Sequence, residues 1–245
     1  MRNIKLTIEY DGTNYAGWQR QSEDPTVQET IESALSGMTG EKIVLYGSGR
    51  TDSGVHALGQ VANFKTKSAI KTGEFQKGLN SILPKDIVII NSEEAEDGFH
   101  AQFSSKSKVY VYKVLNRPHG TAIMRKRVWH IPYKLSLTRM SEAAAELQGE
   151  HDFNAFCQAS PDVKSTVRNV LSAEFKKTEG DILEFTIEAD GFLKRMVRLI
   201  AGTLVQAGKE RITPGEFLKI LESGEKTKFV QAAPAWGLYL REVKY

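Results

Sequence analysis

The chain has 245 residues, 40% hydrophobic and 26% charged, the balance of a soluble globular protein with room for one large domain or two ordinary ones. No run approaches the ~18 apolar residues of a membrane span, and the single cysteine, Cys157, excludes an internal disulfide and argues against a cysteine-based zinc site, in keeping with a reducing, cytoplasmic setting. The net charge of +3 is uneven, with 10 Lys/Arg against 14 Asp/Glu over residues 1–105 and the remaining 23 against 16 over 106–245, so the second half is the one suited to a polyanion.

In chain order, the start MRNIKLTIEY lacks an apolar signal core and reads as a first strand, with alternation through IKLTIEYDG to Asp11-Gly12. TVQETIESALSGMTG puts Val27, Ile31, Ala34, Leu35 and Met38 on one helical face. Thr26 and Glu29 make a capping box before it, and Gly40 follows its end. KIVLYGSG and GQVANFKT read as strands on either side of a glycine-rich loop. GEFQKGLNSIL is a short helix stopped by Pro84, and DIVIINSEEA is a strand.

A second round begins with KVYVYKVLN (108–116), a strand. A helix within SLTRMSEAAAELQGEHDF follows, then a hairpin over VRNVLSAEFKKTEGDILEFTIEAD that turns near Glu179-Gly180-Asp181. GFLKRMVRLIAGTLVQAG is a helix whose apolar face carries Leu193, Met196, Val197, Ile200 and Leu204, with Arg198 off its centre. TPGEFLKILESG is a further helix and WGLYLREVKY a closing strand. Helices mixed with antiparallel strands, without an even βαβα rhythm, indicate α+β rather than a doubly wound sheet. The join falls near SSKS (104–107), giving domains 1–105 and 106–245 that pack together.

The loop GSGRTDSGVHA (47–57) carries what chemistry the residues suggest. It lacks the lysine of a phosphate-binding loop and the spacing of a dinucleotide fingerprint, and neither Ser48 nor Ser53 has a nucleophile-elbow setting. His56 reads as a packed or hydrogen-bonding histidine. Asp52 stands beside Arg50, and a nearby guanidinium favours a charged carboxylate, which can serve as nucleophile or base. On residue types alone, the stronger reading of Asp52 is an aspartate bracing its own turn.

GRTDSGVHALGQV resembles the signature loop of the tRNA pseudouridine synthase A family, with Ser53 where alanine is usual. Other blocks are similar in the same order: YDGTNYAGWQRQ (10–21), FHAQFSSKSKVYVY (99–112), FLKRMVRLIAG (192–202) and PAWGLYL (234–240). The resemblance covers nearly the whole chain. It implies the pseudouridine synthase fold: two similar halves, each a mostly antiparallel sheet with helices on one face, packed around a central cleft. It also implies isomerisation of uridine to pseudouridine at positions 38, 39 and/or 40 of the tRNA anticodon stem-loop, without metal or cofactor.

By the same resemblance Asp52 is the catalytic aspartate, attacking the sugar, attacking the ring or acting as base. Arg198 of the MVR block pairs with it. Tyr110 lies against the uracil and helps remove the C5 proton, with Tyr112, on the same strand face, as competitor. Arg50 helps stabilise the extruded nucleotide, since chemistry on a stacked base requires flipping it out. Phosphate contacts are expected from Lys194, Arg195, Arg125 and Arg127. Trp18, Gln19 and Arg20 are further RNA contacts, Trp18 being alternatively core. The family implies a homodimer, with no membrane association. The competing classes are a non-catalytic RNA-binding protein on the same fold and a nucleoside hydrolase using Asp52 with His56.

Overall fold

The computed structural model describes residues 1–158, 164–178 and 180–245, and the chain divides into two compact units, residues 1–106 with 239–245, and residues 107–238. In the first unit the alternation of residues 2–10 becomes strand β1 (Arg2–Tyr10), with Ile4, Leu6 and Ile8 fully buried on one side. Helix α1 (Val27–Thr39) starts where the Thr26 hydroxyl accepts the Glu29 N–H and stops at Gly40 in the left-handed conformation, φ 70°. The predicted strand at 42–49 shrinks to β2 (Tyr46–Gly47), although residues 42 to 46 still alternate exposed and buried.

Strand β3 (His56–Thr66) pairs antiparallel with β1 so that Ile4 faces Phe64 and Lys5 faces Asn63. Helix α2 (Thr72–Ile82) ends just before Leu83-Pro84, and β4 (Ile87–Ala95) flanks β1 on its other side, again antiparallel. Phe75 of α2 meets Phe64 edge-on, with ring centroids 5.4 Å apart, so α2 covers the Ile4–Leu6–Ile8 face. α1 packs beside α2.

The second unit begins with β5 (Ser107–Asn116) and the short β6 (Trp129–Ile131), which runs parallel to β5. Then come α3 (Leu137–Ala145), β7 (Gly149–Asp152), β8 (Val167–Lys177) and β9 (Ile182–Ala189). The path β5-β9-β8-β7 is antiparallel throughout. The predicted hairpin is therefore β8–β9, although Glu179 of its expected turn lies outside the described residues. Helices α4 (Met196–Gly208) and α5 (Pro214–Ser223) pack with α3, and the Ser141 hydroxyl ties α3 to β8 through the Phe175 carbonyl at 2.7 Å.

Three details depart from the sequence reading. α4 begins at Met196 rather than near 191, because Arg195 takes a left-handed φ of 61° and breaks the helical path before it. β6 and β7 arise in segments where the sequence reading placed no strand. The closing strand β10 (Leu238–Lys244) follows the second half in sequence, yet it pairs parallel with β3, Tyr239 opposite His56, and residues 239–245 belong to the first unit. Among the described residues no helix is long and apolar enough to cross a membrane.

Candidate active site

The loop 47–57 of the first unit is held by backbone on both sides. Ser48 N–H donates to the Val61 carbonyl at 2.7 Å, and Gln60 Nε2 to the Gly49 carbonyl at 2.8 Å. Around Asp52 the chain turns, with Val55 N–H returning to the Asp52 carbonyl at 3.1 Å and Gly54 at φ 77°, a conformation that favours glycine. Asp52 is half-buried and Arg50 exposed.

A second segment, residues 10–18, braces this turn. Gly17 and Asp52 form an isolated antiparallel bridge, and Trp18 N–H donates to the Thr51 carbonyl at 3.2 Å. The Tyr10 and Thr51 hydroxyls lie 2.8 Å apart in the interior. Burial pushes the Tyr10 phenol up, against the opposing bonds from Thr51 and Gln60, so it stays protonated and serves as a fixed strut. Contact this close needs glycine at 17, whose φ is 112° and whose missing Cβ would stand 2.4 Å from the Thr51 oxygen. Ser53, the departure from the family pattern, adds a hydroxyl bond to the Tyr15 carbonyl at 3.2 Å. The segment thus fixes the path of the chain at Asp52. Sequence patterning carries no sign of this brace, because it depends on contacts between segments far apart in the chain.

His56 is buried and stacks on Tyr239 with ring centroids 4.8 Å apart. Its Nδ1 lies 3.1 Å from the Gly12 amide and 3.0 Å from Asp11 Oδ1. The first contact needs an unprotonated Nδ1 and the second a protonated one, so the two alternate with tautomer. Either way the ring is a packed, hydrogen-bonding histidine. Trp18 takes the core alternative: it is 3% exposed, its ring 6.0 Å from that of Tyr10. Gln19 and Arg20 are exposed, and Arg20 is ion-paired with the buried Glu32 of α1, which also accepts the Leu45 N–H at 2.8 Å.

In the second unit Arg198 is the one residue of α4 that is not buried. Its Nε donates to the Ala233 carbonyl at 2.9 Å, and Ala233 N–H returns to the Arg198 carbonyl at 2.9 Å, so the side chain leaves the helix in a set direction. Tyr110 on β5 is buried edge-on against Phe192, with centroids 4.9 Å apart. Tyr112, on the same face, is fully buried and donates its hydroxyl to the Pro234 carbonyl at 2.8 Å. Burial pushes that phenol well up, with Arg198 pulling the other way, so the phenol stays protonated. Lys194 and Arg195 are exposed just before α4, and Arg125 and Arg127 are exposed on the loop before β6. Among the described residues no group of three or more His, Cys, Asp or Glu is placed to hold a metal ion.

A family model described as tRNA pseudouridine synthase matches residues 6–104 and 143–245. The chain is 47% identical to the tRNA pseudouridine synthase A of Acetivibrio thermocellus over 245 residues, covering 100% of both chains. It is 46% identical to the proteins of that name from Ruminiclostridium cellulolyticum and Caldicellulosiruptor saccharolyticus, again over 100% of each chain.

Proposed function

The chain belongs to the tRNA pseudouridine synthase family, and on that premise we propose that it isomerises uridine to pseudouridine at positions 38, 39 and/or 40 of the tRNA anticodon stem-loop. The observation that carries the reading is the loop bearing Arg50 and Asp52, which a second segment of the same unit holds by backbone contacts on both sides of the acid. In the reaction the bond between uracil N1 and ribose C1′ breaks and the base turns. C5 bonds to C1′, C5 gives up its proton and N1 gains one. The isomerisation is balanced without redox change or net hydrolysis.

In this reading the Asp52 carboxylate supplies the negative charge, by attack on the sugar, by attack on the ring or as base. Arg198 steadies that carboxylate, Tyr110 lies against the uracil and helps take the C5 proton, and Arg50 supports the extruded nucleotide. The alignment of the block FHAQFSSKSKVYVY with the family favours Tyr110 over Tyr112 for this role. Gln19, Arg20, Lys194, Arg195, Arg125 and Arg127 are the proposed tRNA contacts, acting from the exposed surface. The working form is a cytoplasmic homodimer.

The test is release of tritium from C5 of uracil in unmodified tRNA. Wild-type protein releases label, and Asp52→Ala lowers the rate by about 10²–10⁴-fold while still binding tRNA. Binding without release by the wild type would leave a non-catalytic RNA-binding protein, and liberation of free base would make it a nucleoside hydrolase.

A further inference from the structure

The first unit's sheet has a second face that the catalytic reading leaves unused. α2 covers the face carrying Ile4, Leu6 and Phe64, so Lys5, Asn63 and Tyr46, which stand opposite one another across β1, β3 and β2, point to the other face. There a groove of about 520 Å³ is lined by Lys42, Tyr46, Asn63, Lys65 and His100, among others. That is within the ~300–1,000 Å³ of small-ligand sites. Tyr46 is 46% exposed, and Phe103, which touches the lining residue His100, is 78% exposed.

The rings form a row. Tyr46 lies 5.2 Å from His100, and His100 4.4 Å from Phe103, centroid to centroid. Buried and half-buried hydrogen bonds fix the segment that carries His100 and Phe103. Asn3 Nδ2 donates to the Glu96 and Phe99 carbonyls, both at 2.9 Å, and Asn63 Nδ2 donates to Asn3 Oδ1 at 2.9 Å. Ala101 N–H donates to Asn63 Oδ1 at 2.8 Å, and the Tyr245 hydroxyl to the Ala101 carbonyl at 2.8 Å. The segment is thus anchored before anything binds, which lowers the ordering cost of binding. Two exposed lysines, Lys42 and Lys65, outnumber the one lining acid, Asp97. Tyr46 immediately precedes the loop that carries Arg50 and Asp52.

Exposed rings in a row beside lysines are the composition that holds unpaired bases and their phosphates, since every base has a stacking face. We propose that this groove binds an unpaired nucleotide of the tRNA substrate, its base stacked on the Tyr46–His100–Phe103 row and its phosphate held by Lys42 and Lys65. The inference rests on RNA being the substrate.

The probe is a fluorescently labelled unmodified tRNA transcript, titrated into the full chain alongside the tritium assay. The double variant Tyr46→Leu with Phe103→Leu keeps apolar bulk but no rings, and its Kd rises at least about five-fold. Tyr46→Phe keeps the ring and binds as wild type. The pair Lys42→Gln with Lys65→Gln lowers the slope of log affinity against log salt by roughly 0.7 for each phosphate that a lysine had neutralised. All these side chains are on the surface, and circular dichroism and thermal melting verify that each variant folds. If the wild type releases tritium but the leucine double variant binds as tightly as wild type, the groove is not a nucleotide site and the proposal falls alone. A shift in oligomeric state with tRNA affinity unchanged also overturns it, making the groove an interface between copies. A wild type that neither binds tRNA nor releases tritium removes the functional reading, and this inference with it.

Discussion

Tyr110 and Tyr112 stand two residues apart on one face of β5, Tyr110 edge-on against Phe192 and Tyr112 fully buried. The Tyr112 phenol is wedged in the core with its hydroxyl on the Pro234 carbonyl. Tyr112→Phe therefore removes one buried hydrogen bond, costing about 1 kcal/mol, and lowers the melting temperature by about 2–4 °C. Under the proposed function Tyr110→Phe instead stops tritium release. Melting curves and tritium assays on the two variants separate a structural phenol from a reacting one, and loss of release with only Tyr112→Phe would reverse the assignment. Gly17 offers a second check at this scale. Gly17→Ala would push a Cβ against the Thr51 oxygen at a φ of 112°, a strain of order 1–3 kcal/mol. We expect it to melt earlier and to lose tritium release by more than its unfolded fraction explains, because the displaced neighbour is the chain at Asp52.

The ends of α1 and α5 were legible in the sequence, whereas the start of α4 was not. Thr26 and Gly40 bound α1, and Thr213 and Gly224 bound α5, because capping is chemistry between residues three or four apart. In α5 the box is reciprocal, with Thr213 N–H on Glu216 Oε2 at 2.7 Å and Glu216 N–H on the Thr213 hydroxyl at 3.2 Å. At α1 the Thr26 half alone is confirmed. The backbone bond from Thr213, then its hydroxyl, holds the Glu216 carboxyl below its ordinary value. A carboxyl lowered by folding adds stability above its unfolded value, near ~4.3, and loses it as pH falls through the folded value. Glu216→Gln, which removes the charge and keeps the shape, should thus lose this contribution at neutral pH, and urea melts should show the gap to wild type narrowing in acid. A gap independent of pH would mean that the Glu216 charge takes no part.

Strands were less legible. Residues 42–45 alternate as a strand should, yet only Tyr46–Gly47 joins the sheet, since pairing depends on a partner far away in sequence. At the site, Asp52 and Arg50 stood out through the resemblance of their loop to the family signature, since residue types alone favoured an aspartate bracing its own turn. The residues 10–18 that brace them, and the Asn3–Asn63 pair that fixes the ring segment, were not legible. Their role lies in buried contacts that no spacing encodes.

At the scale of the molecule, the chain path matters more than its composition. The unit with the Asp52 loop is assembled from residues 1–106 and 239–245, with the second unit's residues spliced between. The last segment supplies Tyr239 to stack on His56, Lys244 to accept the Lys106 N–H at 2.8 Å, and Tyr245 to bond Ala101. Removing residues 239–245 should expose β3 to protease and abolish tritium release. Intact protection of β3 in that truncation, read by limited proteolysis with mass spectrometry, would show that the tail contributes little.

His56, which receives Tyr239, also meets the Gly12 amide at the start of the brace. A nascent chain leaving the ribosome therefore carries its aspartate loop early but lacks the aromatic lid on His56 until Tyr239 has been added. Messages cut short upstream of that point would yield a protein with the right acid and no settled place to use it.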